Sequence, residues 1–209
     1  MVKEEKTVRL YQPNLQVISL DIIGEAPGYI GNGWSEAAIK GLEDGNRTGK
    51  SKVMPTRDYE AEANGARRLL SSPVDGATDG IPASAFKDAI IKVGFRCADF
   101  KGTELRAWLA VNSHDGLLPI FDSIPEPRRD ICRVRKGSST IPLPVCRPFY
   151  KVPWKTTLQL KFDANSINLD QVVSLVVMAG FSIGVGAWRP ECDGDFGRFT
   201  VGGMREVPR

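Results

Sequence analysis

A chain of 209 residues with 42% apolar and 25% charged residues can bury the core of one large domain or two small ones, which excludes a wholly disordered chain. No apolar run reaches the roughly 18 residues that a membrane-spanning helix needs. The opening Met1-Val-Lys-Glu-Glu-Lys6 lacks the apolar stretch of a secretory signal, so the expectation is a cytoplasmic protein without a membrane partner. Cys97, Cys132, Cys146 and Cys192 form no C-x-x-C pair, and His114 is the single histidine. That spacing predicts scattered reduced thiols, no metal site and no other cofactor. The net charge of +3 is unevenly spread. Between Glu126 and Lys161 nine Lys/Arg face two acidic residues, a local charge of +7, and the remainder carries −4. Such asymmetry predicts a basic face on a nearly neutral body, a footprint for polyanions.

Leu15 to Ile23 is rich in β-branched residues and reads as a buried first strand, stopped by Gly24 and Pro27-Gly28. The span 24–79 is rich in glycine and charge and poor in apolar residues, and reads as an insertion projecting from the fold. Within it, helices are expected over Ser35 to Leu42, with Ser35 as N-cap, and over Tyr59 to Leu70. Asp44 to Lys52 between them is expected to be a basic loop. Gly45-Asn-Arg-Thr-Gly-Lys-Ser51 imitates a P-loop. It has three rather than four residues between its glycines and no preceding strand, so Lys50 and Lys52 read as solvated cations or backbone-phosphate contacts.

Pro82 suits a first helical turn, and Phe86, Ala89, Ile90 and Val93 share a face, so a helix is expected up to Gly94. Leu105 to Val111 reads as a strand, and Leu117 to Phe121 as another. The basic segment 123–155 holds five prolines from Pro127 onward, too many for interior strands, and reads as a long hairpin or loop with edge strands. Thr156 to Phe162 alternates as a half-buried strand. Asn168 is placed to cap a helix from Leu169 to Ala179. A glycine-rich turn, Gly180 to Gly197, then leads into a last strand from Phe196 to Val201. Glycine accepts positive φ and close backbone approach. This turn is therefore a tight corner or a surface for an extended ligand, and the second reading is preferred.

Strand, insertion, helix, strand, strand, helix, strand is a ferredoxin-like (RRM-like) βαββαβ order of the α+β class. One domain, 1–209, is expected, with core segments 14–23, 80–122 and 156–207 and insertions 24–79 and 123–155.

Two motifs carry a family resemblance. Gly80-Ile-Pro-Ala-Ser-Ala-Phe-Lys87 resembles the helix-opening motif of the RAMP superfamily of CRISPR-associated proteins. Gly184-Val-Gly-Ala-Trp-Arg-Pro-Glu-Cys-Asp-Gly-Asp-Phe-Gly-Arg-Phe-Thr-Val201 resembles that superfamily's glycine-rich loop before the last strand. Ala83 and Asp88 depart from the family pattern, which has glycine there. The resemblance, closest to the repeated backbone subunit, implies a non-catalytic protein that coats single-stranded guide RNA. It also implies side-by-side self-assembly into a helical filament, contact with other CRISPR effector subunits, and an insertion acting as a thumb across the RNA. Small proteins of tailed phages look similar around the second motif, so a phage-encoded relative that mimics or blocks such a complex, or binds phage nucleic acid, stays open. A RAMP-type endoribonuclease using His114 or an insertion aspartate (Asp44, Asp58, Asp75, Asp79) is the third reading.

Physical chemistry adds candidate RNA-binding residues. Ser84 and Lys87 lie at a helix start, where free N–H groups favour phosphate. Gly184, Gly186, Trp188, Arg189 and Arg198 lie in the glycine-rich loop, where Trp188 offers a stacking plane and Arg189 a fork. Arg128, Arg129, Arg133, Arg135 and Lys136 suit a track along a strand, joined by Lys50 and Lys52.

Overall fold

A computed structural model describes residues 12–48, 58–136 and 139–207. The core is an antiparallel sheet of β1 (Leu15–Gly24), β5 (Leu109–Asn112), β9 (Lys155–Asp163) and β10 (Phe199–Glu206) in the order β10-β1-β9-β5. Helix α3 (Ala83–Cys97) connects β1 towards β5, and α5 (Leu169–Ser182) connects β9 to β10. This is the ferredoxin-like arrangement, with the first and last strands side by side. Alternation in β1 and β9 turns Ile18, Leu20, Ile22, Leu158, Leu160 and Phe162 into one buried layer, and α3 and α5 cover it with Phe86, Ile90, Val172 and Val176. Asn168 and Gln171 form a reciprocal capping box at the start of α5.

One expected element changes identity and another its end. Residues 105–108, expected to open a strand, belong to helix α4 (Gly102–Trp108), and β5 begins only at Leu109. Leu105 and Leu109 satisfy helical as well as strand spacing, and Trp108 joins their face only in a helix. Leu105 is fully buried against α3, and Phe100 meets Trp108 edge-on at 6.2 Å. Gly94 does not end α3, which runs on to Cys97. Its missing side chain leaves the space that Leu105 Cδ1 fills, 2.2 Å from where a Cβ would stand.

The span 24–79 is not a projection without a core. It contributes β2 (Tyr29–Ile30), α1 (Glu36–Thr48), α2 (Tyr59–Gly65), β3 (Leu69–Val74) and the start of β4 (Ala77–Pro82). Ser35 caps α1 as expected, its Oγ accepting from Ala38 N at 3.2 Å, but the helix continues through the expected loop to Thr48. Helix α2 stops at Gly65 rather than Leu70, with Ala66 as its C-cap, and the chain enters the β3–β4 hairpin, whose turn is Asp75 and Gly76, both at positive φ. Strand β4 also pairs with β6 (Leu117–Pro119).

The basic segment is a hairpin, β7 (Pro125–Lys136) against β8 (Ser139–Tyr150), with β2 added at the foot of β8. Pro127 stands directly opposite Pro148, so that pair exchanges no hydrogen bonds. Ile131 with Pro144 and Arg133 with Pro142 share its parity. Every proline of the hairpin therefore sits where the backbone nitrogen points away from the partner strand, and the ladder loses nothing.

A buried polar cluster binds these pieces. Asp79 of β4, 5% exposed, accepts two hydrogen bonds from Arg67 (2.8 and 2.7 Å), one from Tyr150 Oη of β8 (2.8 Å) and one from Thr78 (2.9 Å). Tyr150 packs on Tyr29 at 5.5 Å, and Tyr29 on the fully buried Trp154 at 5.7 Å. Burial pushes the Asp79 carboxyl up, but the bonds from Arg67, Tyr150 and Thr78 and the guanidinium charge outweigh it and hold it below its ordinary value. Burial and the Asp79 charge push the Tyr150 phenol far up, so it stays a donor. Asp79→Ala is expected to cost about 3 kcal/mol, since it strands the Arg67 charge, and Tyr150→Phe about 1 kcal/mol. Urea unfolding followed by far-ultraviolet circular dichroism measures both. Equal, negligible losses would show that the cluster holds nothing together.

Candidate nucleic-acid interface

The glycine-rich loop between α5 and β10 is stitched down on both sides. Gly184, at φ +69°, ends α5, its N–H donating to the Ala179 carbonyl at 2.9 Å. Gly186, at φ +83°, lies where a Cβ would meet the Ile30 carbonyl at 2.4 Å, and the next residue, Ala187, donates to that carbonyl. Gly197 N–H donates to Gly28 O, and Val185 N–H to Gly197 O. The space over Gly184 and Gly186 is thus filled by protein. At these two positions the loop is a tight corner rather than an open bed for a ligand.

What the corner projects is the chemistry. Trp188 is half-buried with φ +53°, a left-handed conformation uncommon for a bulky residue, and its carbonyl accepts from Phe196 N–H. Phe196 turns away from the core and meets Phe149 of β8 edge-on at 6.0 Å, whereas Phe199 packs inward on Phe86 at 5.2 Å. The Arg128 guanidinium lies 4.6 Å from the Phe196 ring centre and 5.5 Å from that of Phe149, and pairs with Asp130 at 3.1 Å. Two residues beyond Phe196, Arg198 stacks 5.3 Å from the ring of Phe181, bonds the Phe181 carbonyl and pairs with Asp195. Phe181 is 66% exposed. The foot of the basic hairpin and the loop therefore share one guanidinium–aromatic cluster, Arg128 with Phe149 and Phe196, and the loop carries a second such pair, Arg198 with Phe181.

Other candidates are placed differently. Arg129 lies on the opposite side of the hairpin from Arg128, 3.9 Å over the ring of Tyr59 in α2, so the two do not form one free track. Arg133, Arg135 and Lys136 continue the β7 backbone opposite Pro142, Thr140 and Ser139. Lys50 and Lys52 lie outside the described residues. Ser84 is exposed in the first turn of α3, and Lys87 reaches the Arg106 carbonyl of α4 at 3.2 Å. The ties from α3 to the loop come from Lys92 and Arg96 instead. Arg189 is not a free fork: it donates to Gly186 O at 3.0 Å and to Glu191 Oε2 at 2.8 and 3.2 Å.

Glu191, which the spacing of residue types did not single out, is the anchor of the loop. Lys92 reaches it at 2.6 Å and Arg96 at 3.0 Å, besides Arg189. Burial pushes its carboxyl up, but the bonds and charges of Lys92 and Arg189 prevail and bring it down to about 2. The i, i+4 spacing of Lys92 and Arg96 was the available signal; their shared partner 95 residues away was not.

His114 and the candidate aspartates take separate structural roles, although Asp75 and Asp79 line one cavity. His114 sits in an exposed hairpin turn, 3.3 Å from Asp115. Asp58 caps α2, Asp75 forms the β3–β4 turn, Asp79 belongs to the buried cluster, and Asp44 falls within α1. Among the described residues no three His, Cys, Asp or Glu side chains group as metal ligands, and no helix is long and apolar enough to cross a membrane.

No family model and no curated protein matches the chain. Among solved structures, the chain is similar to the crystal structure of Cmr6 from Pyrococcus furiosus, with 12% identity, a TM-score of 0.44, and coverage of 91% of this chain and 100% of that one. The fold class rests on the strand order and pairing described above.

Because the folded carboxyl of Glu191 titrates near 2 rather than at the ordinary 4.5, its contribution to stability is complete above pH 4.5 and is lost as pH falls towards 2. Glu191→Gln is expected to lower stability at neutral pH and to flatten its dependence between pH 4.5 and 2. Chemical unfolding at stepped pH measures this, and an unchanged acid limb would remove Glu191 as the loop anchor.

Proposed function

We propose that the protein is a non-catalytic binder of single-stranded RNA, of the kind the RAMP resemblance implies: a subunit that lies along a guide RNA beside further copies of itself and other effector subunits. The observation that carries this reading is the pair of guanidinium–aromatic groupings, Arg128 on Phe149 and Phe196, and Arg198 on the exposed Phe181. Single strands are held without sequence preference by cations along the backbone and by planes on which bases stack. A base laid on Phe181 extends a stack whose other member, Arg198, is already fixed by the Phe181 carbonyl and Asp195. The local excess of cations from Glu126 to Lys161 favours the polyanion.

Fluorescence anisotropy with a short single-stranded oligoribonucleotide, across a salt series, tests the reading. Affinity is expected to fall steeply with salt. Phe181→Ala is expected to weaken binding about tenfold, in line with ~1–3 kcal/mol per stacked base, while Ile124→Ala, 85% exposed on another segment, leaves it unchanged. A purified protein that carries no nucleic acid and ignores the oligonucleotide at low salt would sink the proposal.

A further inference from the structure

Glu191 is covered, its side chain only 13% exposed, and three cations converge on it. Lys92 takes one carboxylate oxygen and Arg96 the other, so their tips are held at the spacing of two oxygens on one small anion. The carboxylate neutralises one of three positive charges. The cations remain reachable from solvent: the Lys92 side chain is 38% exposed and that of Arg96 is 52% exposed. Each makes a single hydrogen bond to Glu191, leaving further N–H groups, two on an ammonium and four on a guanidinium. Arg189 is spent on Glu191 and Gly186 and serves to lock the loop. Asp88 and Asp193, neighbouring carboxylates in sequence, are exposed, where water and salt screen them.

We infer that Lys92 and Arg96, organised by Glu191, form a binding site for one phosphate group on the outer side of the glycine-rich loop. Glu191 acts as a positioning residue: it fixes two long, flexible side chains in advance and so removes the ordering cost an incoming anion otherwise meets. The tetrahedral oxygens of a phosphate accept from both cations at once, and a phosphodiester's single negative charge leaves the cluster still positive. The chemistry is shared by an RNA backbone phosphate and by free phosphate. The RNA form of the inference rests on the single-strand reading above, and the free-phosphate form does not.

The test uses the full chain and two probes, inorganic phosphate and a single-stranded oligouridylate, with the arginine Nε–H signals followed by NMR and the salt dependence of oligouridylate binding by anisotropy. Expected are shifts of the Arg96 signal with either probe, their weakening in Lys92→Gln, where Arg96 and its signal remain, and a smaller salt dependence in Lys92→Gln/Arg96→Gln. The slope of log affinity against log salt is expected to drop by about one in that variant, as for the removal of one phosphate contact. Arg96→Gln alone, which keeps the Lys92–Glu191 pair and hence the loop, is expected to lose at least half of the effect, so misfolding of the double variant does not decide the matter. Lys101→Gln, on the α4 side, controls for bulk charge. Shifts with phosphate but no oligouridylate binding support the site with free phosphate as its source, and overturn only the RNA reading. Oligouridylate binding with unmoved Arg96 signals, an unchanged slope and no response to phosphate overturns the site while leaving the RNA reading intact. Silence with both probes overturns both.

Discussion

The carboxylate of Asp79 is the point on which the architecture depends. It is buried, so its charge is tolerable only if fully hydrogen-bonded, and its four bonds come from Arg67 beyond α2, Tyr150 at the end of β8, and the neighbouring Thr78. Satisfying one charge therefore requires Tyr150, 71 residues away, to meet the ends of the β3–β4 hairpin at Arg67 and Asp79. The cluster sits beside the hydrophobic core, which Tyr29, Ile81 and Tyr150 also join. Exchanging a hydrophobic core for a hydrogen-bonded ion pair adds little net stability, but it admits few alternative arrangements.

That dependence reaches the interface. Tyr150 closes β8, and its neighbour Phe149 supplies one plane of the stack that Phe196 and Arg128 complete. Tyr29 and Ile30, packed on the same strand end, fill the space over Gly186. The polar cluster thus sets the height at which the hairpin meets the glycine-rich loop. The loop is fixed from the other side by Glu191 and the cations of α3. A surface formed between two such anchors is preorganised, which lowers the cost of ordering it around a single strand.

The glycines of the loop and the residues they project have separate roles. Gly184 and Gly186 permit the corner and are consumed by it. Trp188, Phe196 and Arg198 stand out because the corner is tight. Cations in the same region divide likewise: Arg189 holds the loop, Arg128 and Arg198 are stacked, and Lys92 and Arg96 keep unspent donors.

By itself the sequence determined the ferredoxin-like core. Period-two alternation in 15–24 and 155–163, the Asn168 cap and the proline-laden hairpin are local patterns whose physics is complete within a few residues. It also marked the glycine-rich loop and the basic segment as the places of interest. The helix at 102–108 was not legible, because Leu105 and Leu109 fit either period until the space beside Gly94 chose one. Nor was the meeting of Arg67, Asp79 and Tyr150, which depends on contacts across the fold. Above all, only the tertiary structure decided which cations are spent. Arg189 and Arg96 carry the same charge in the sequence, but Glu191 turns one into a loop fastener and leaves the other open to solvent, since pairing is a property of distance in space.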